Sequence, residues 1–289
     1  MENLDLKVKD LYLKYFGGYL GVDMVSFETN DSIAILGKSM SGKTSLLRCI
    51  AGLEKYEGTI TSNAQNLAFT FDLNSLKKNK SAKDNIAYPL VLRKETNIDE
   101  KVLNIAKRFK IQDILDLPIS KLTDSEKRLV ILSRTFVRDA DLYLLDDPLK
   151  DVENREEYFT ILMDVIKDKK VIYATTNVDE ALSFKNILCM AYKKAIGFGT
   201  KEEILLRPKT IDVLKLFGDI KTANIELKKD GDKYYIEYEN IKYDINAPIS
   251  DIYLNKEVVF VLDDKKPKLD MYFDKSTEYI ISRTYNGRK

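Results

Sequence analysis

Eight consecutive residues carry the most specific chemistry in the chain: Gly37, Lys38, Ser39, Met40, Ser41, Gly42, Lys43 and Thr44. Their spacing, G-x-x-x-x-G-K-T, is that of a phosphate-binding loop, or P-loop. The glycines let the backbone turn tightly, so that successive N–H groups point inward and cradle phosphate oxygens. Lys43 brings a positive charge to the β- and γ-phosphates of a nucleotide, and the Thr44 hydroxyl can ligate Mg²⁺. A second stretch, Asp141 to Pro148, is an apolar run ending in Asp146 and Asp147. A strand that ends in two carboxylates is what a P-loop enzyme needs to hold Mg²⁺ and orient water.

These groups need elements to position them. Ser32 to Leu36 reads as a short buried strand and Thr44 to Ala51 as a helix, so the loop sits where a helix N-terminus faces phosphate. Upstream, Leu4 to Val8, Leu11 to Phe16 and Met24 to Phe27 read as strands, with a turn at Gly17-Gly18. Tyr15 and Phe16 offer an aromatic ring that either stacks on an adenine base or packs within its strand. Residues 72–140 read as mostly helical, over Ala82 to Tyr88, Asp99 to Phe109, Ile111 to Leu115 and Ser125 to Phe136, with Pro89 and Pro118 breaking the run. After Asp147, helices (Arg155 to Ile166, Asp179 to Phe184) alternate with strands (Val171 to Thr175, Ile187 to Tyr192). Such alternation argues for a mostly parallel sheet, with ligands beyond the carboxyl ends of its strands. The P-loop, Asp146 and Thr175-Thr176 are expected to converge there.

From residue 222 onward the texture is β: Ala223 to Leu227, Tyr234 to Tyr238, Ile241 to Ile245, Val258 to Leu262 and Leu269 to Phe273. Five short strands suggest a small OB-like β-barrel. The expected organisation is an α/β ATP-binding domain over 1–220, with a helical insertion at about 72–140, and an accessory barrel over 221–289.

Composition removes several function classes. Forty-seven basic residues balance 46 acidic ones for a net charge of +1, which leaves no electrostatic footprint for nucleic acid. The chain contains no histidine, which excludes Ser-His-Asp hydrolysis and histidine-ligated zinc. Its two cysteines, Cys49 and Cys189, lie in apolar segments and read as buried free thiols in a reducing compartment. Met1 to Lys7 carries no apolar signal region, and no apolar run approaches bilayer length.

The order of these motifs resembles an ABC-type ATPase, most closely the ATPase subunits of maltose-type sugar importers. Family-like phrases at Ser45 to Leu53, Asp84 to Leu90 and Gly197 to Ile204 support the resemblance over about residues 3–218. It implies ATP and Mg²⁺ as ligands, with Phe16, the loop Gly37 to Thr44 and Ser45 binding nucleotide, and Thr44 and Asp146 holding the metal. It implies two ATPase domains pairing head to tail, permease subunits in the membrane as partners, and a cytoplasmic position on the inner face of the cell membrane.

The resemblance also exposes departures. The partner-facing signature falls on Thr123, Asp124, Ser125 and Glu126, where the family has Ser-Gly-Gly-Gln. The water-polarising glutamate falls on Asp147, the metal-sensing glutamine on Asp72, the switch histidine on Thr176 and the inter-subunit aspartate on Glu153. Asp147 is shorter than glutamate by one C–C bond, about 1.5 Å. A misplacement of about 1 Å can cost on the order of a hundredfold in rate. Asp124, if held about 5 Å from a partner's phosphate, would cost roughly 3 kcal/mol at an effective dielectric near 20, unless it caps the helix that follows. The implied protein is a weakly hydrolysing or non-hydrolysing ATP-binding subunit that pairs with a second, more complete ATPase. The alternative is a soluble regulator that binds ATP without driving transport.

Overall fold

The structure, a computed structural model, describes residues 4–206, 208, 210–218, 221–238, 240–245, 254, 257–262, 270–273 and 280–284. Strand β1 (Leu6–Lys14) buries Leu6 and Val8, then Leu11 and Leu13, a change of frame that a regular strand cannot make. A bulge absorbs it: Asp10 takes φ 51° and the register shifts between Val8 and Leu11. The two runs expected as separate strands are therefore one. Strand β2 (Leu20–Thr29) returns antiparallel after a turn in which the Gly18 N–H donates to the Tyr15 carbonyl (3.0 Å).

Strand β3 (Ile33–Leu36) is buried at every residue and leads through the P-loop into α1 (Lys43–Ile50). Strands β4 (Glu57–Ser62) and β5 (Leu67–Phe69) follow. The sheet containing β1 has the order β2-β1-β4. The central region holds α2 (Ala82–Leu92), α3 (Ile98–Arg108) and α4 (Asp124–Phe136), joined by short 3₁₀ turns. Helix α2 runs through Pro89 instead of stopping there. Burial of Ile86, Ala87 and Leu90 on its inner face outweighs the missing N–H. The expected helix at Ile111 to Leu115 is a single 3₁₀ turn, Gln112–Ile114.

Beyond α4 the chain alternates: β6 (Leu142–Asp146), α5 (Arg155–Ile166), β7 (Val171–Thr175), α6 (Val178–Leu182), β8 (Asn186–Ala191), β9 (Lys194–Thr200), α7 (Lys201–Leu206) and α8 (Ile211–Leu214). A six-stranded sheet has the order β5-β6-β7-β3-β8-β9, and the pairs among its first five strands are parallel. The continuous apolar runs of β3, β6 and β7 fit strands covered on both faces. The loops that follow β3, β6 and β7 leave from the same edge of this sheet, as the sequence pattern anticipates.

The chain divides into two compact units, Met1–Ala195 and Ile196–Lys289. The second contains β10 (Lys221–Glu226), β11 (Lys228–Asp230), β12 (Lys233–Tyr238), β13 (Ile241–Ile245), β14 (Glu257–Leu262), β15 (Asp270–Phe273) and β16 (Ile280–Thr284). Its described strands form two sheets, β10-β14-β16-β15 and β11-β12-β13. The strands β11 and β16 were not expected. Leu269, and the boundary residues Asp219 and Ile220, lie outside the described residues.

Asn85 stitches the helical region together. Buried at 1% exposure, its Oδ1 accepts from the Lys77 N–H (2.8 Å), and its Nδ2 donates to the carbonyls of Lys77 (3.2 Å) and Ser81 (2.9 Å). Asn85→Ala strands these groups with no room for a substitute. It should lower the unfolding free energy in a urea titration by about 2 kcal/mol.

Candidate functional site

The P-loop is shaped by two glycines with different reasons to be glycine. Gly42 adopts φ 107°, a left-handed conformation at the N-terminus of α1. A Cβ at Gly37 would collide with Ser41 Oγ and the Met190 carbonyl oxygen. Met40 sits between them, also left-handed (φ 63°) and 83% exposed. Its carbonyl accepts from Lys193 Nζ, and the Ser41 carbonyl accepts from the Lys193 N–H (3.1 Å), so the loop is pinned from the residue after Tyr192.

Lys43 is buried (7% exposed). Its Nζ donates to the Gly37 carbonyl (2.6 Å), the Lys38 carbonyl (3.0 Å) and Ser41 Oγ (3.5 Å). Burial lowers its pKa, while Asp147 and Asp146 work to raise it. One residue on, Thr44 Oγ1 donates to Asp146 Oδ1 (3.1 Å), joining the start of α1 to the end of β6. The Asp146 N–H donates to Thr70 Oγ1 (2.6 Å), which fixes the carboxylate's backbone from the far side.

A cleft of about 220 Å³ opens over these groups. Ser39, Met40, Lys43 and Thr44 line it together with Thr70, Phe71, Asp72, Arg128, Asp146, Asp147, Lys150 and Thr176. Of the residues expected to converge, the P-loop, Asp146 and Thr176 line the cleft; Thr175 does not, its hydroxyl donating to Glu180 instead. Asp72 lines it too, although its Oδ1 accepts from the Asn74 N–H (2.8 Å) as the cap of a 3₁₀ turn. Among the described residues no cluster of three or more acidic or cysteine ligands could hold a metal. The donor set nevertheless fits Mg²⁺, which binds through one or two carboxylates and leaves its remaining positions to phosphate and water. The Thr44 hydroxyl and Asp146 carboxylate are hard oxygen donors placed together at the cleft, and they are the residues that would hold it.

Asp147 is built differently from Asp146. It has φ 42°, and its N–H donates to the Ala174 carbonyl (2.8 Å). Its Oδ1 is buried without a hydrogen-bond partner, as is Arg155 Nη2, which lies 3.6 Å from it. Arg155 is committed elsewhere: its Nε donates to Glu180 Oε1 (2.6 Å). Glu180 is 3% exposed and also accepts from Thr175 Oγ1 (2.6 Å) and Tyr173 OH (3.1 Å). Burial pushes the carboxyls of both Asp146 and Asp147 up from the usual range. The Thr44 hydrogen bond opposes this at Asp146, and the Arg155 charge opposes it at Asp147.

The remaining expected residues lie apart. Phe16 is entirely exposed on the β1–β2 turn and does not line the cleft; the neighbouring Tyr15 OH donates to Ser45 Oγ (3.1 Å) at the start of α1. None of Thr123, Asp124, Ser125 and Glu126 lines the cleft. They form the N-terminus of α4, where Thr123 and Glu126 make a capping box. Asp124 does not cap the helix; it pairs with Lys127 (2.8 Å), which holds its pKa below the usual value. Ser125 Oγ accepts from the Glu153 N–H (3.0 Å), tying this segment to the loop after β6. The sequence reading missed Thr70, Arg128, Lys150, Arg155, Glu180 and Lys193. Of these, all but Lys193 lie within four residues of an expected site residue. The two cysteines are buried and free, with burial pushing Cys49 up to about 11 and Cys189 up to about 12.

Two outcomes follow from this geometry. A carboxyl whose folded pKa lies above its unfolded one costs stability once both states are ionised, and the cost fades as pH falls through the folded value. Asp147→Asn should therefore raise the urea midpoint at pH 7, and its advantage over the parent should shrink toward acid pH. Met40→Gly removes a left-handed side chain that packs on little, and should stabilise by about 0.5–1 kcal/mol in the same titration.

Known proteins share the sequence pattern and the fold of this chain. Residues 22–150 match the family described as ABC transporter. The chain is 31% identical over 211 residues to the molybdate/tungstate import ATP-binding protein WtpC of Methanocaldococcus jannaschii, covering 67% of this chain and 70% of that protein. It is 28% identical over 239 residues to the sulfate/thiosulfate import ATP-binding protein CysA 2 of Shewanella oneidensis, covering 74% and 68%. It is 29% identical over 235 residues to the sn-glycerol-3-phosphate import ATP-binding protein UgpC of Vibrio cholerae, covering 74% of this chain and 63% of that one. In fold, it superposes on cbiO1 from Clostridium perfringens, described as part of the ABC transporter complex cbiONQ, with a TM-score of 0.61 at 21% identity, over 74% of this chain and 94% of the other. The chain belongs to the ATP-binding subunits of the ABC transporter family.

Proposed function

We propose that this chain powers or gates an importer for a sugar or similar small solute, binding Mg-ATP at its P-loop, hydrolysing it weakly or not at all, and pairing with a second ATPase subunit. The relatives named above are import proteins for small anions and a glycerol phosphate, which supports a small polar cargo. A cleft of about 220 Å³ falls below the roughly 300–1,000 Å³ of a complete small-molecule pocket. That fits half of a site that another subunit closes, with Thr123, Asp124, Ser125 and Glu126 offered to the partner's nucleotide.

The observation that carries weak hydrolysis is the state of Asp147. A general base must reach its proton within about 3 Å. Asp147 is one bond short of a glutamate, is set by a left-handed backbone, and has an arginine 3.6 Å from its buried oxygen. Thr176 can donate a hydrogen bond but cannot carry charge, and Asp72 would bring a negative charge where a neutral amide is expected. Asp147, Thr176 and Asp72 are the residues we assign to the remaining catalytic function. Phe16 and Ser45 complete the nucleotide contacts in this reading.

Permease subunits are the second class of partner. Leu53, Phe69, Phe71, Tyr88, Pro89 and Leu92 line an apolar groove of about 450 Å³ beside the start of the helical insertion. Phe71, Tyr88 and Leu92 are exposed there, which suits docking of a partner helix. Among the described residues no helix is long and apolar enough to cross a membrane. The subunit then sits on the cytoplasmic face by association. Residues 221–289 form an accessory domain, a small OB-like barrel that steadies the dimer, with the boundary near residue 220.

Mg-ATP binding and turnover of the purified chain test this reading. The chain should bind Mg-ATP, lose affinity about tenfold or more in Lys43→Ala, and turn over slowly alone. Brisk turnover that disappears in both Lys43→Ala and Asp147→Asn would make Asp147 a working base and sink the weak-hydrolysis proposal. Absence of membrane subunits from a tagged-chain pull-down, with binding intact, would favour the regulator instead.

A further inference from the structure

Arg128 is an unusual occupant of the cleft. It lies one turn into α4 and is 7% exposed, on a helix whose neighbouring residues Leu129 to Ser133 are all buried. Its Nε is buried without a hydrogen-bond partner. Its charge reaches both Asp146 and Asp124 through space, yet among the described residues it forms no ion pair with either. An uncompensated guanidinium is among the costliest groups to bury, and packing alone gives no reason to keep one. In the same cleft Lys43 is held by loop oxygens and Asp146 by Thr44, while Asp147, whose Oδ1 is also without a hydrogen bond, has the Arg155 guanidinium 3.6 Å away.

Its place in the cleft narrows the possible ligand. Arg128 lines the same cleft as Lys43 and as Thr44 and Asp146, the metal donors, and its charge acts on Asp146. The cleft is lined by three cations, Lys43, Arg128 and Lys150, and three carboxylates, Asp72, Asp146 and Asp147. Removing Arg128 would leave three carboxylates against two cations in a cleft that has to accept an anionic ligand. A planar guanidinium with free N–H groups is suited to bind a phosphate oxygen pair there.

We propose that Arg128 is a specificity-determining residue that binds the terminal phosphate of a nucleoside triphosphate and makes the site prefer triphosphate to diphosphate. The inference rests on assigning the cleft as the nucleotide site. It differs from a structural role in one measurable way: an unpaired buried charge retained for a ligand weakens the fold, so its removal should strengthen it.

The test measures Mg-ATP and Mg-ADP affinity by calorimetry, and melting temperature, for the full chain and for Arg128→Met, Arg128→Lys and Lys43→Ala. Arg128→Met should melt higher than the parent, lose about tenfold or more in ATP affinity and change ADP affinity by less than about twofold. Arg128→Lys keeps the charge without the planar fork and should retain part of the ATP preference. Equal losses for ATP and ADP, no loss for either, or a destabilised Arg128→Met would overturn the proposal and assign Arg128 to the fold. If Arg128→Met fails to fold, an Arg128→Lys protein that binds ADP normally and keeps the parent's full preference for ATP decides against it. Unchanged nucleotide affinity in Lys43→Ala would instead remove the nucleotide-site assignment itself.

Discussion

The site depends on keeping one ammonium group buried. Lys43 loses most of its hydration, and the loop's own oxygens at Gly37, Lys38 and Ser41 replace it. Those oxygens face inward only because Gly37 and Gly42 allow the chain to turn without a side chain in the way. Asp146 and Asp147 supply the opposing charge from the end of β6. Neither the loop nor the strand end is stable in this arrangement alone. The loop would present a buried cation, and the strand end would present two carboxylates already pushed toward protonation. Their attraction joins the P-loop to the central sheet, and the Thr44–Asp146 hydrogen bond sets the distance between them.

The two carboxylates divide the work because their surroundings differ. Asp146 is held by hydrogen bonds to its side chain and its backbone, from Thr44 and to Thr70, and so presents a fixed oxygen. Asp147 is held chiefly through its backbone, and its Oδ1 and Arg155 Nη2 face each other without a hydrogen bond. Arg155 cannot close that gap freely, because Glu180 holds its Nε at 2.6 Å and is itself anchored by Thr175 and Tyr173. The arginine is thus a fixed charge beside the position where a base would act. The arginine's charge opposes the rise that burial gives the Asp147 carboxyl, and a pair that is close but unbonded does not orient the oxygen, a poor arrangement for taking a proton from water.

The P-loop, its flanking strand and helix, and the alternation after Asp147 were legible because each is a local pattern whose period or spacing is written in consecutive residues. The fusion of two expected strands into β1 was not, because the bulge at Asp10 lies where the alternation shifts frame, and a frame shift reads as a break. Helix α2 passed through Pro89 because burial of Leu90 and its neighbours, a tertiary effect, outweighed a local breaker. The strand β16 pairs parallel with β14, a contact between distant residues that no short window reports. In the site, the sequence placed the P-loop, Asp72, Asp146, Asp147 and Thr176 at one cleft. It gave no hint of Arg128, Arg155 or Glu180, because helical periodicity states which residues face inward but not which partners they meet there.

Those three unforeseen residues separate two kinds of buried charge. Glu180 and Arg155 are paired at 2.6 Å, and Glu180 accepts two further hydrogen bonds, so folding alone explains them. Arg128 has no such compensation, and neither do Asp147 Oδ1 and Arg155 Nη2. Of the four such buried atoms among the described residues, Arg128 Nε and Asp147 Oδ1 belong to side chains that line one cleft, Arg155 Nη2 lies 3.6 Å from that Asp147 oxygen, and Ser133 Oγ lies elsewhere. A fold optimised only for stability would have removed them, since replacing an unpaired buried charge with an apolar side chain is favourable. Arg128 and Asp147 line the cleft with Lys43 and Asp146, which places two charged groups lacking a hydrogen bond where a charged ligand has much to gain by binding. That is the physical sense in which this cleft is built for a ligand and not merely left open by the packing around it.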